Sequence, residues 1–254
     1  MTATGVFRPR RNPRLREEVL EYLWREFPTH CIIMTDPLTR RVIDLATRRA
    51  AAHGLFASHQ VCSWVTLMVF FGAFFDDDPL FPWAGATLRE TRGRDRDVAL
   101  AMLFETMDKA VNPFLGETGE HYRKALLWAL SLRFDAIAAD DGGSVDEAVL
   151  RWLKTGYPAR YSSLTRDQLE LLTSAARARA ERFGLVPRAG SILCALLISL
   201  LGIHMHHDPL HAWLGETLRD ETIADPAAKT RKLYDQGISM LRRHLVLERF
   251  SQPE

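Results

Sequence analysis

Four histidines and an aspartate fall within eight residues, in the stretch Ile203-His204-Met205-His206-His207-Asp208-Pro209-Leu210-His211. Imidazole nitrogens and carboxylate oxygens ligate zinc and other divalent first-row metals, so the stretch is the first place to look for chemistry. His207-Asp208-Pro209-Leu210-His211 has the outline of the H-E-x-x-H metalloprotease pattern, in which two histidines one helical turn apart hold the metal. The outline is incomplete. Aspartate stands for the glutamate, and Pro209 suits the first position of a helix, which leaves His207 before the helix begins. A metal-binding protein or metal-dependent enzyme using His204, His206, His207 and His211 is therefore the alternative reading. The first reading is a polar corner where an apolar helix emerges into water.

An acidic form of the same corner occurs earlier. Residues 61–83 read VCSWVTLMVFFGAFFDDDPLFPW, and residues 191–213 read SILCALLISLLGIHMHHDPLHAW. Aligned without a gap at an offset of 130, residues 54–92 and 184–222 share 12 identities in 39 positions. Gly72/Gly202, Asp78/Asp208, Pro79/Pro209 and Trp83/Trp213 are among them. The register continues upstream, where Val19, Leu20 and Leu23 match Val149, Leu150 and Leu153. One register held that far implies a tandem duplication. Two copies with so long a period imply two similar halves about a pseudo-two-fold axis, not a solenoid. Asp76 and Asp77 stand where the second copy has His206 and His207. Asp76-Asp77-Asp78 also resembles the acidic clusters that hold magnesium, but no second acidic motif accompanies it. If the two corners meet on the axis, these carboxylates face imidazoles and the contact responds to pH.

The elements that must position these corners are helices. Residues 58–75 are apolar nearly all round, with no alternation and no hairpin signal, which predicts an enclosed helix; residues 188–205 predict its counterpart. Asp36, Asp78, Asp208 and Asp225 each precede a proline and predict N-caps. Ser144 with Glu147, and Thr165 with Gln168, read as capping boxes. Residues 15–27 form an amphipathic pattern. Residues 120–138 have no partner in the other copy and predict one bridging helix, followed by an Asp140-Asp141-Gly142-Gly143 turn. The expectation is an all-α, internally duplicated helical bundle. Residues 1–14 form a flexible basic arm, 15–116 the first repeat, 117–141 the bridge and turn, and 142–254 the second repeat. Ten or eleven helices are expected, in two similar five-helix halves packed as one compact body.

Charge narrows the function classes. With 33 basic and 32 acidic residues the net charge is +1, without the basic excess of a dedicated nucleic-acid protein. The arginine-bearing N-terminus has no apolar segment of a secretory signal. No apolar run reaches the ~20 residues of a membrane span, which implies no stable membrane insertion and a cytoplasmic protein. Cys31, Cys62 and Cys194 lack paired spacing and read as reduced thiols. No G-x-S-x-G, P-loop or G-x-G-x-x-G pattern is present, so no catalytic residue and no cofactor is assigned.

Other residues invite a binding reading. Trp83 and Trp213 recur at one position in both copies, either as core packing or as a shared partner groove. Arg89 and Arg219 recur likewise and suggest a structural ion pair. Arg40, Arg41, Arg48 and Arg49 crowd one predicted helix, as a solvated face or a partner surface.

The stretch Phe70-Phe71-Gly72-Ala73-Phe74-Phe75-Asp76-Asp77-Asp78-Pro79-Leu80-Phe81-Pro82-Trp83-Ala84 resembles one in uncharacterised helical proteins encoded beside bacterial type VI secretion effectors and other toxin loci. The second copy departs from it: histidines replace Phe74, Asp76 and Asp77, and Ala212 replaces Pro82. The resemblance brings no catalytic residues. It implies an accessory role, such as binding a toxin or helping to load it. Together these readings favour a non-enzymatic bacterial binding protein, an adaptor, chaperone or immunity-like accessory that recognises another protein.

Overall fold

The computed structural model describes residues 13–251, and among them every regular element is helical. The first stretch holds α1 (Pro13–Glu26), α2 (Pro28–Ile33), α3 (Asp36–Ala52), α4 (Ser58–Phe71), α5 (Pro82–Glu90) and α6 (Arg96–Leu115). Then come α7 (Glu120–Ser131) and α8 (Phe134–Ala138). The last stretch holds α9 (Val145–Gly156), α10 (Pro158–Ser163), α11 (Arg166–Arg182), α12 (Pro187–Leu201), α13 (Ala212–Leu218) and α14 (Pro226–Ser251). The expected basic arm lies almost wholly outside the described residues; Pro13 and Arg14 already belong to α1. No helix among the described residues is long and apolar enough to cross a membrane.

The helices outnumber the ten or eleven expected, for two local reasons. Pro28 and Pro158 each sit at the start of a six-residue helix directly after a longer one; proline is accepted there because its missing N–H needs no partner. The expected single bridging helix is interrupted at Leu132, which is extended and whose carbonyl accepts the Tyr234 hydroxyl at 2.6 Å.

The caps divide. Ser144/Glu147 and Thr165/Gln168 form reciprocal capping boxes on α9 and α11. Asp225 accepts Ala228 N–H at 2.9 Å at the head of α14. Asp36 does not cap: it lies inside α3, whose cap position is Thr35, and pairs with Arg40 at 2.8 Å. Asp208 caps only the short 3-10 turn Pro209–His211, where it accepts Leu210 N–H at 2.8 Å; neither it nor Asp78 caps α5 or α13. Each follows a 3-10 turn, Phe75–Asp77 or Met205–His207, and α5 and α13 begin only at Pro82 and Ala212.

α2, α3 and the first 3-10 turn recur as α10, α11 and the second turn, each 130 residues on. Within the first stretch α1 packs on α3 and α4, and α3 on α4; α9, α11 and α12 repeat that arrangement. The short helices cross over. α2 packs on α14, and α10 packs on α6. Val61, Trp64, Val65, Leu67 and Met68 of α4 are fully buried, as are Ile192, Cys194 and Ile198 of α12. Each large apolar side chain so buried contributes ~1.5–3 kcal/mol before entropy. Neither central helix is enclosed on all sides, as the sequence had suggested. Phe70 of α4 is 59% exposed, and Leu196, Leu197, Leu200 and Leu201 of α12 are only half-buried, along a cleft.

The ends of α4 and α12 meet. Asp208 accepts Ala73 N–H at 2.7 Å, and Asp78 accepts Ile203 N–H at 2.7 Å, so each corner's carboxylate serves the backbone of the other. Gly72 and Gly202 turn the chain here with φ of 91° and 86° and extended ψ, a region only glycine occupies freely. A side chain at Gly72 would come within 2.8 Å of Leu201 O, and one at Gly202 within 2.8 Å of the Asp78 carboxylate.

Candidate functional site

The histidine-rich corner does not assemble a metal centre. His204 lies against Phe74 across the meeting of the two corners, with ring centroids 5.5 Å apart. His206 is buried against Phe183, and its Nδ1 accepts Arg179 Nε–H at 3.4 Å. His207 is exposed, with Nδ1 3.1 Å from Arg219. His211 turns the other way, into the cleft. Among the described residues no group of three or more histidine, cysteine, aspartate or glutamate side chains is placed to hold a metal ion. The helix breaks at Gly202 and again after the 3-10 turns, so the rings fan out instead of sharing one face.

The expected Asp76–His206 pairing is also absent, because each corner finds its partners nearby. Arg49 binds Asp76 Oδ1 at 2.7 Å and Asp77 Oδ2 at 2.6 Å, and His53 meets Asp76 Oδ2 at 3.2 Å. Burial works against the Asp76 charge, but His53 and Arg49 outweigh it and hold the carboxyl below its usual range. Arg179 occupies the Arg49 position in the second corner. Burial, then the Arg179 and His207 charges, push His206 down to about 3, so it is neutral. Burial also raises the two reciprocal carboxyls, Asp208 to about 6, against the pull of its two N–H donors. Among the described residues Arg219 pairs with no carboxylate: it donates to His206 O and clamps the turn.

Of the clustered arginines, Arg40 and Arg49 hold ion pairs and Arg41 and Arg48 face solvent. Trp83 is half-buried and packs edge-on against Phe71 of the core at 5.4 Å. Trp213 instead lines the cleft.

That cleft has a volume of about 720 Å³. α2, α7, α12, α14 and the end of α4 form its walls, and its lining is mostly apolar, with Leu193, Leu197 and Leu200 of α12 along one side. Three histidines from separate elements line it: His30 of α2, His211 before α13 and His244 of α14. The His30 and His244 rings meet edge-to-face at 5.0 Å. Burial, and then mutual repulsion, depress His30 to about 3 and His244 to about 4; burial alone takes His211 to about 4. All three are neutral imidazoles at neutral pH.

The place related to this trio at the same offset of 130 is filled differently. His30, His211 and His244 correspond to Arg160, Phe81 and Phe114. Arg160 is buried with its guanidinium 4.7 Å from the Phe81 ring and 4.3 Å from the Phe114 ring, and it donates to Leu80 O at 3.3 Å. Burial lowers its pKa to about 10. One crossing, α10 on α6, is thus closed by a cation sandwiched on two phenyl rings. The other, α2 on α14, is lined by three imidazoles and stays open. Reading the sequence by local clusters misses the trio, because its members are far apart in the chain. The alignment held the signal: an arginine and two phenylalanines all become histidine in one register.

No family model, no curated protein and no solved structure matches this chain.

Proposed function

We propose that this is a non-enzymatic binding protein and that the cleft among α2, α7, α12 and α14 holds an apolar guest. The cleft itself carries the reading. Its volume lies in the range of about 300–1,000 Å³ typical of small-molecule sites, and such sites combine apolar walls with a few placed polar groups. The two halves are, in this proposal, copies of one helical unit related by a pseudo-two-fold axis. The shared helix bounds and the exchanged Asp78 and Asp208 bonds support that view. Divergence after doubling filled one crossing and opened the other.

The test is a neutral environment-sensitive dye, Nile red, titrated into the full chain. One saturable site is expected, abolished in Leu197→Trp, which fills the cleft, with the melting temperature unchanged. No saturable binding, or binding indifferent to that substitution, sinks the reading.

A second reading, the adaptor or chaperone for a secreted bacterial effector, is favoured by one observation. Phe70, within the stretch that resembles type VI-associated proteins, is 59% exposed at the cleft, and Trp24 and Ile32 are about half exposed on neighbouring helices. Large apolar side chains left exposed on these helices suit a protein contact. Phe70→Glu should then abolish association with the product of an adjacent toxin gene while leaving dye binding intact. Unchanged association rejects that surface.

A further inference from the structure

We infer that the guest is a single-chain amphiphile with an acidic head, a free long-chain carboxylic acid, its carboxylate on His30, His211 and His244 and its chain along the Leu193–Leu200 face of α12. This rests on the cleft being a binding site and names what it binds.

The polar groups of the wall direct the choice. The hydroxyls of Tyr157, Tyr234 and Ser199 are committed to backbone carbonyls of Phe114, Leu132 and Leu196. Arg25 and Glu26, at the cleft edge, pair with each other at 2.7 Å. Among the described residues the three imidazoles make no hydrogen bond, so each neutral ring has a donor and an acceptor nitrogen to offer. Three convergent rings that can each donate, and that gain a second N–H on protonation, fit an oxyanion. Glu26 is the sole carboxylate lining the cleft among the described residues, and it is already paired, so a cationic head finds no free counter-charge.

The other crossing supplies the packing argument. There the Arg160 side chain fills the space between Phe81 and Phe114. Here the equivalent space is unfilled, and an alkyl chain supplies the missing apolar contact. A protein helix is about 10–12 Å across with its side chains and would seat only one face in such a space.

Charge coupling follows. Burial, mutual repulsion and Arg243 beside His244 now hold the trio neutral. Arg25 and Glu26 are the other charged groups on the wall, and they cancel. A bound carboxylate supplies the absent counter-charge, so binding near neutral pH takes up a proton.

The experiment is competition against Nile red on the full chain at pH 7 by dodecanoic acid, dodecan-1-ol and dodecylamine. Dodecanoic acid should bind about tenfold more tightly than the alcohol, the equivalent of one charge-assisted hydrogen bond, and the amine most weakly. His211→Leu with His244→Leu, which removes two of the three imidazoles without adding bulk to the cleft, should erase the preference for acid over alcohol, read as the ratio of the two affinities within the variant. If that variant does not fold, calorimetry of the wild type in two buffers of different ionisation enthalpy should show proton uptake with dodecanoic acid and none with the alcohol. Equal affinity for acid and alcohol, an unchanged preference in the variant, or no proton uptake overturns the inference. So does an acidic amphipathic peptide that displaces the dye where dodecanoic acid does not. In each of those cases the dye still binds and the cleft stands as a site. Failure of the dye itself removes the binding reading, and the inference with it.

Discussion

The two helix crossings, α10 on α6 and α2 on α14, use helices that begin 130 residues apart in the chain, and they are filled in opposite ways. At the first, Arg160 is buried between Phe81 and Phe114, and the gap is closed. At the second, His30, His211 and His244 leave a cleft with Trp213 on its wall. The corners beside them differ in the same spirit. Arg49, His53 and Asp76 form an ion-paired cluster, whereas Arg179, Phe183 and His206 place a neutral ring beside an arginine. One side invests in closed packing and the other keeps space and titratable groups. Proteins tolerate such local losses of packing where a site is needed.

The largest effects should come from what the two sides still share. Asp78→Ala and Asp208→Ala each strip two buried N–H groups of their acceptor, Leu80 and Ile203 in one case, Leu210 and Ala73 in the other. Each should lower unfolding stability by about 2–4 kcal/mol, read from urea melts. Near-equal losses are expected. A large loss for one and none for the other would mean the joint is not reciprocal.

Next in size is the contrast itself. Arg160→Ala removes a buried side chain and its contacts with two phenyl rings, and should cost about 2–3 kcal/mol. His30→Ala, at the matching position on an open cleft, should cost under ~1 kcal/mol. Equal costs would show that the cleft side is as tightly packed as the other.

Acid should separate the sides further. His30, His206, His211 and His244 all have folded pKa values depressed to about 3 or 4. The unfolded chain therefore binds more protons below the ordinary imidazole range, and stability is full above about pH 6.5 and falls towards pH 4. Asp208, raised to about 6, acts in the opposite direction: its contribution is full below about pH 4 and is lost as pH rises through 6. Four histidines against that carboxyl and Asp78, which burial also raises, leave a net acid loss. His211→Phe with His244→Phe should recover about 1–2 kcal/mol at pH 5 and nothing at pH 8, measured by urea melts at both. Recovery at both pH values would assign the gain to packing instead of protonation.

The sequence made some of this visible. Periodicity, capping boxes and Gly72/Gly202 mark α-helices and their ends because these are local signals, within a few residues of their partners. Asp78 and Asp208 read as helix caps for the same reason, and each does accept the N–H two residues on. Their main partners lie 125 and 135 residues away, and no local pattern reports a bond of that span. The His204–His211 run attracted a metal reading because its residues are adjacent in the chain. The turns after Gly202 scatter them, while His30 and His244, remote in sequence, join His211.

His204 gives the smallest and most pointed test of that lesson. Its one described ring contact is Phe74, 5.5 Å away in the other corner, a contact worth about 0.5–1 kcal/mol. His204→Ala should therefore cost no more than that. A metal ligand would behave otherwise, because losing one of four ligands removes most of the binding energy and all of the metal's stabilisation. With equimolar zinc added, wild type and His204→Ala should keep the same small difference in melting temperature as without it. A zinc-dependent gap between them would restore the corner as a metal centre and reverse the assignment of the two sides.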